Sequence, residues 1–260
     1  MLYLLIGSLC LITGFLSGLL GIGGGIIMAP LLLFVPPLFG FEELSMHVVA
    51  GLTIVQGLVA CIAGTISHHR FQFVSGRLGL IMGVSIFFTS LAGAAGAKLI
   101  SNEIMLFIFG SLALCASLLM LIPKKEDTDD PDIKELTFSK WRAIATASGV
   151  GLLCGLVGQG GSFILIPLMI NFVKVPTRIA IGSNLAIVSI STFAGFAGKA
   201  FTGQIEWLLT LPIILIVTPA VFLGSLASRK LPVEWLRRIL AILIAIAALR
   251  IWLSIFSAST

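Results

Sequence analysis

The chain has 260 residues, of which 58% are hydrophobic and 10% are charged, and its mean hydropathy is +1.15. A soluble domain carries about 25% charged residues, so this chain lacks the polar surface of a water-soluble globule, and its composition predicts an integral membrane protein. The net charge of +5 does not indicate a nucleic-acid partner, because Lys and Arg in a membrane protein mainly mark the loops that stay in the cytoplasm.

Ten apolar segments follow one another along the chain, and most approach the ~20 residues that a membrane-spanning helix needs. The second and the seventh are shorter, and each follows a cluster of glycines. No Lys or Arg precedes the first segment, so we expect a retained helix there and not a signal peptide. The segments are 2–20, 25–39, 48–66, 78–97, 104–122, 142–158, 162–173, 179–198, 207–228 and 239–258.

The longest polar stretch separates the first five segments from the last five. It reads PKKEDTDDPDIKELTFSKWR, with mixed charge and two prolines, which is typical of a solvated linker. We therefore expect three parts: a first transmembrane repeat at residues 1–122, a polar linker at residues 123–140, and a second transmembrane repeat at residues 141–260.

The two groups of segments are copies of one another. At an offset of 137 residues, GFLSGLLGIGGGIIMAPLLL (14–33) aligns with GLLCGLVGQGGSFILIPLMI (151–170), and ten of the twenty positions are identical. Farther along, at an offset of 131, Gly93 aligns with Gly224. The chain is therefore an internal duplication with five apolar segments in each copy.

The distribution of basic residues sets the expected topology. The loops on one face carry 13 Lys and Arg, and the loops on the other face carry two. This asymmetry places the linker in the cytoplasm and both termini outside. Each short segment and the one before it either cross the membrane fully or form a re-entrant hairpin, which gives eight to ten crossings. The second repeat is inverted in both cases, so we predict an all-α polytopic protein of the inner membrane with two inverted-topology repeats.

Broken helices at matching positions of inverted repeats are typical of secondary transporters, whose substrate site lies near the midplane. Here the breaks are the two glycine clusters. Glycine has no Cβ, so an anion can approach the free N–H groups and the positive end of the following helix. Close helix packing is the alternative role for these glycines. The candidate substrate-binding residues of the breaks are Gly21, Gly23, Gly24, Gly25, Gly158, Gln159, Gly160, Gly161 and Ser162.

Polar residues in the third and eighth segments form a second set of candidates. Thr53 and Gln56 are three residues apart and share one helix face, and Ser183 and Asn184 occupy the corresponding place in the second repeat. They line a substrate cavity in one interpretation. In the other they form hydrogen bonds that hold the helices together.

Other kinds of site receive little support. No Asp or Glu lies inside the ten segments, which argues against cation or metal transport and favours an anion or a neutral solute. We find no catalytic constellation, nucleotide motif or metal-ligand spacing, and we expect no enzyme, cofactor or metal ion. The four cysteines have no CxxC spacing and are typical of small buried residues. Lys98 and Lys199, at the outer ends of their segments, are expected to be snorkelling anchors.

The stretches GLLGIGGGIIMAPLL and GLVGQGGSFILIPLM resemble the paired glycine and proline signature of the sulfite exporter TauE/SafE family, and the resemblance covers nearly the whole chain. It implies a bacterial-type inner-membrane transporter that exports small sulfur anions such as sulfite or organosulfonates. Ser162 departs from the more glycine-rich form of the signature. By this resemblance the motif positions are Gly21, Gly23, Gly24, Pro30, Gly158, Gly160, Gly161 and Pro167.

The sequence thus favours a secondary transporter that moves a small anion by alternating access. A passive anion channel, and a transporter of another small solute or organic acid, are the alternatives. The expected partners are the small anion and the lipid bilayer, without nucleic acid, and a homodimer is left open.

Overall fold

The structure is a computed structural model that describes residues 2–20, 25–67, 75–121, 136–228, 242, 244–246 and 248–253. Every regular element in these ranges is helical, and five helices are long and apolar enough to cross a membrane. This is the architecture of a polytopic membrane protein, as the composition predicts. The five stretches of spanning length are Met46–Ala63, Gly76–Leu99, Asn102–Leu119, Ser183–Phe201 and Trp207–Ala227.

Five helices precede the polar linker, and each coincides with a predicted apolar segment. The fourth begins after Ser75, whose hydroxyl accepts a hydrogen bond from the Leu78 N–H, and it continues into a short 3-10 turn. The helices are α1 (Leu2–Leu20), α2 (Gly25–Leu38), α3 (Met46–Ser67), α4 (Gly76–Gly96, with the 3-10 turn Ala97–Leu99) and α5 (Asn102–Leu121).

Four further helices follow the linker. They are α6 (Lys140–Val157), α7 (Ser162–Leu168, with the π-helical turn Met169–Val173), α8 (Thr177–Phe201) and α9 (Trp207–Ser228). Residues 244–246 and 248–253 are also helical and belong to the tenth predicted segment. Most of the predicted linker lies outside the described residues.

The helices α2 and α7 are short. α2 has 14 residues and is therefore about 21 Å long, whereas the hydrocarbon core of a bilayer is about 30 Å thick. α7 has seven residues and its π-helical continuation has five. Pro167 lies inside α7, where it has no N–H to donate, and the α-helical pattern ends one residue later. Neither helix is long enough to span a membrane alone.

The most extensive helix contacts join the two halves of the chain, α1 with α9 and α4 with α6. Glycines allow this close approach. A Cβ added at Gly18 on α1 would collide with the backbone oxygen of Val221 on α9, and one added at Gly155 on α6 would collide with the backbone oxygen of Ser90 on α4. At the offset of 137 residues, Gly155 is the repeat equivalent of Gly18. At the offset of 131 residues, Val221 is the repeat equivalent of Ser90.

The partner helices of these two interfaces, α4 and α9, also carry glycines at equivalent positions. A Cβ at Gly93 on α4 would collide with the backbone oxygen of Leu152, and a Cβ at Gly224 on α9 would collide with the backbone oxygen of Phe15. These four residues are again equivalent in the two copies of the repeat. The duplicated sequence therefore makes duplicated contacts, each between one half and the other.

Large apolar side chains cover the outside of the helices. Leu80 is 70% exposed, Phe88 64% and Leu215 73%. Exposed apolar surface on this scale is suited to lipid and not to water.

Candidate functional site

The break between α6 and α7 is built from glycines in left-handed backbone conformations. Gly158 has φ 71°, Gly160 has φ 68° and Gly161 has φ 89°, a region in which side chains with a Cβ are strained. The Gln159 N–H donates to the carbonyl of Cys154 at 3.0 Å, so the chain turns back against the end of α6. The glycine cluster thus ends one helix and starts the next within four residues.

The space around these glycines is as restrictive as their backbone conformation. A Cβ at Gly158 would collide with the backbone oxygen of Ala50 on α3, and one at Gly160 would collide with Cγ2 of Thr192 on α8. A Cβ at Gly161 would lie 2.7 Å from Cγ1 of Val150. Side chains are therefore excluded at these three positions both by backbone conformation and by the helices packed around the break.

Four consecutive buried N–H groups in this break have no carbonyl acceptor among the described residues. They belong to Gly160, Gly161, Ser162 and Phe163, whereas the next two N–H groups, of Ile164 and Leu165, donate to the Gly161 carbonyl at 3.2 and 2.9 Å. Buried N–H groups are rarely left unpaired in proteins. A short run of such groups is a typical anion-binding element.

Gln159 adds a second unsatisfied group to the break. Its side chain is 4% exposed, and neither Oε1 nor Nε2 has a hydrogen-bond partner among the described residues. The neighbouring element is the start of α2, since a Cβ added at Gly25 would lie 2.9 Å from Oε1 of Gln159. The other predicted residues of the first break, Gly21, Gly23 and Gly24, lie outside the described residues.

The eighth segment contributes Asn184. Its Nδ2 donates to Oγ of Ser162 at 2.7 Å, and its Oδ1 has no partner in the described part of the chain. Both side chains are 1% exposed. Of the sequence-predicted residues, Asn184 and Ser162 are therefore brought together at the first turn of α7.

The third segment reaches the break through Thr53. The Thr53 hydroxyl lies 3.0 Å from the carbonyl oxygen of Gly158 and 2.8 Å from that of Val49 in its own helix. It thus links α3 to the break, and it does so from a fully buried position.

Two residues of the predicted substrate site, Gln56 and Ser183, make their described hydrogen bonds with elements other than the break. Gln56 donates from Nε2 to Oγ1 of Thr13 at 2.8 Å, which ties α3 to α1, while its buried Oε1 has no partner among the described residues. Ser183 accepts at Oγ from the Ser75 N–H at 3.1 Å, which ties α8 to the start of α4. The hydrogen bond of Ser183 therefore holds two helices together, whereas Thr53 and Asn184 contact the break.

The two motif prolines lie inside short helices. Pro30 is in α2 and Pro167 is in α7. The Pro167 carbonyl accepts a hydrogen bond from Nδ2 of Asn171 at 2.9 Å. Their place downstream of each break suits a helix that is short and interrupted.

The expectation of an exposed anchor is wrong for Lys199. Its side chain is fully buried, and Nζ donates to the carbonyl of Leu156 and to Oε1 of Gln204, both at 3.3 Å. The end of α6 and the turn after α8 cover this side chain. The position of Lys199 at the end of an apolar segment did not indicate that burial. Lys98, by contrast, is exposed, as an anchor is expected to be.

The groups that meet at the break are neutral hydrogen-bonding groups. Within the described ranges, no three His, Cys, Asp or Glu side chains form a group that could hold a metal ion. The N–H groups without an acceptor among the described residues, a side-chain amide and a hydroxyl together present mostly donors. Such a set can bind a small oxyanion without a metal and without a side-chain cation at the break itself.

Comparison with known proteins gives one family and several relatives. A family model described as Sulfite exporter TauE/SafE matches residues 6–251. The chain is 25% identical over 273 residues to the Probable membrane transporter protein YunE of Bacillus subtilis, covering 98% of this chain and 99% of that protein. It is 28% identical over 246 residues to a Probable membrane transporter protein of Xylella fastidiosa, covering 94% and 92% respectively. No solved structure matches the chain significantly.

Proposed function

The chain belongs to the sulfite exporter TauE/SafE family, and we propose that it is a secondary transporter of a small sulfur-containing anion, such as sulfite or an organosulfonate. The relatives that cover nearly its full length are named probable membrane transporters. The family description suggests the substrate class and the direction of transport, which is export.

One observation carries the proposal. Gln159 is buried with both polar atoms of its side-chain amide unpartnered among the described residues, and the four N–H groups that follow it lack carbonyl acceptors there. Leaving a buried donor unsatisfied costs about 1–3 kcal/mol per group. An oxyanion has several lone pairs and would satisfy several of these donors at once, so the break is suited to an oxyanion ligand.

The composition of the apolar segments agrees with an anion. None of the ten segments contains Asp or Glu, so no carboxylate within them would repel a bound anion. A cation transporter needs the opposite arrangement, in which intramembrane carboxylates hold the ion. The neutral Gln159, Asn184 and Ser162 would then select among anions by size and by the positions of their oxygens.

The matched contacts between the halves support two inverted repeats. Gly18 and Gly155 pack against equivalent positions of the opposite half, as do Gly93 and Gly224. We propose that a pseudo-two-fold axis relates these contacts, that the short α2 and α7 are the return limbs of the two breaks, and that the halves rock against each other for alternating access.

The orientation follows from the basic residues of the loops. With the linker in the cytoplasm, both termini lie outside the inner membrane. A membrane potential that is negative inside drives an anion outward, so the potential alone supports export. Proton coupling is the other source of energy that fits an anion.

Flux into proteoliposomes tests the proposal. We would measure uptake of sulfite, sulfate, thiosulfate, methanesulfonate, acetate and alanine with an imposed potential of each sign. A transporter of sulfur anions gives saturable uptake of sulfite or methanesulfonate that reverses with the potential. Uptake that does not saturate indicates a passive channel. Uptake of alanine, or of no anion at all, contradicts the proposal.

A further inference from the structure

Lys199 is a buried cation that lies outside the break described above. Of the described residues, it is the one charged side chain that is fully buried, and it lies in the last turns of α8. Burying an ammonium group is costly unless an opposite charge compensates it. The position of this charge therefore needs an explanation.

The partners of Lys199 are neutral. Nζ has three N–H donors, and the described contacts use two of them, on the Leu156 carbonyl and on Oε1 of Gln204. No carboxylate among the described residues pairs with it. The protein thus leaves a positive charge and one donor without compensation in the part of the chain that the structure describes.

The surroundings of Lys199 are continuous with the break. Leu156, whose carbonyl it contacts, comes two residues before Gly158. Gln204 donates from Nε2 to the Ala94 carbonyl at 2.9 Å, and its backbone oxygen lies 2.5 Å from a Cβ placed at Gly51. Gly51 follows Ala50, against whose carbonyl Gly158 packs.

The helix α8 gives the scale of the separation between Lys199 and the break. Thr192, which packs against Gly160, is seven residues before Lys199 on α8, and seven residues of α-helix rise about 10 Å. Across that distance, at an effective dielectric constant of about 20, a unit charge changes the affinity for an anion on the order of tenfold.

We propose that the ammonium of Lys199 is the counter-charge for the transported anion. It attracts the anion to the break and sets the preference for anions over neutral solutes. The inference rests on the proposed function, because it concerns the same site. A purely structural role is the alternative, in which Lys199 only caps the last carbonyls of α6. A cap needs a donor, whereas a counter-charge needs a cation, so the two roles are separable.

Substitution at Lys199 separates the two roles. Lys199→Gln keeps an N–H donor and removes the charge, Lys199→Arg keeps both, and Lys199→Met is a second neutral variant, so the comparison does not depend on one variant folding. Lys98→Gln is the control for loss of a basic residue at an exposed position. Each variant is reconstituted, and the KM for sulfite uptake and the uptake ratio of sulfite to a neutral sulfone are measured.

We expect the sulfite KM of Lys199→Gln and Lys199→Met to rise on the order of tenfold, with a lower uptake ratio and an unchanged melting temperature for the glutamine variant. Lys98→Gln should stay close to the wild type, and Lys199→Arg, which keeps the charge, should retain a lower KM and a higher uptake ratio than either neutral variant. Wild-type KM and selectivity in a neutral variant would overturn the role of Lys199 and leave the proposed function standing. Absence of any anion uptake by the wild type would overturn both.

Discussion

Gly25, at the start of α2, lies directly against Gln159 in the break between α6 and α7. A Cβ on Gly25 would stand 2.9 Å from Oε1 of the glutamine. The two residues belong to opposite copies of the repeat, so the second break contacts the helix that follows the first break. This contact places the start of α2 against the second break, as a substrate site shared by the two copies requires.

Replacing Gly155 by Ala should destabilise the protein, whereas Gly149→Ala should not. Both glycines lie in α6, but a Cβ at Gly155 collides with the backbone of Ser90, and one at Gly149 meets nothing within 4 Å. Overpacking costs about 1–3 kcal/mol, while Gly→Ala at an open helix position gains up to about 1 kcal/mol. The melting temperatures of the purified proteins check this. Equal melting temperatures would contradict the close approach of α4 and α6.

Replacing Gly160 by Ala should abolish transport, and Gly203→Ala should preserve it. The two residues have similar backbone strain, with φ 68° and φ 70°. Only Gly160 has a neighbour in the way, Thr192, while a Cβ at Gly203 meets nothing within 4 Å. Sulfite uptake by the two variants therefore isolates the effect of filling the break. Loss of uptake to the same extent in both would mean that backbone strain alone matters.

Replacing Thr53 by Val should lower transport and stability together. The substitution keeps the shape of the side chain and removes the hydroxyl that links α3 to the Gly158 carbonyl at 3.0 Å. Loss of such a bond costs about 1 kcal/mol. Thr218→Val is the control, because the exposed Thr218 hydroxyl bonds only within its own helix, to the Ile214 carbonyl, among the described contacts. A Thr53→Val protein indistinguishable from this control would show that the link does not position the break.

Inverted repeats predict that Glu43 and Lys174 lie on opposite faces of the membrane. The two residues lie in the corresponding loops of the two repeats, between α2 and α3 and between α7 and α8, and both side chains are exposed. In a background without the four native cysteines, Glu43→Cys should react with an impermeant maleimide added outside intact cells. Lys174→Cys should react only after the membrane is opened. Labelling of both from the same side would exclude inversion.

The sequence predicted the helices well, because apolar length and glycine clusters are local signals. The nine helices α1–α9 coincide with the first nine predicted segments, and the second glycine cluster separates α6 from α7 as its composition predicted. The duplication aligned Gly18 with Gly155 and Gly93 with Gly224, and the structure adds that these equivalent residues make equivalent contacts.

Side-chain partners were less accessible from the sequence. The residues Thr53 and Ser183 gave the same polar signal, yet one reaches the break and the other ties α8 to α4, because the direction of a side chain depends on helix rotation. The burial of Lys199 depends on Leu156 and Gln204, which approach it from other segments. Neither contact is encoded by spacing within one helix.

Equilibrium binding of sulfite to the purified protein tests the central claim most directly, with Gln159→Leu as the variant and Asn171→Leu as the control. Gln159 has no hydrogen-bond partner among the described residues, whereas Asn171 bonds the Pro167 carbonyl away from the break. Hydrogen bonds to charged groups contribute about 1.5–3 kcal/mol, so we predict that Gln159→Leu weakens sulfite binding about tenfold to a hundredfold. Its melting temperature should not fall, because a buried unpaired amide is replaced by an apolar side chain. Saturable binding of wild-type strength in Gln159→Leu would contradict an anion site at the break.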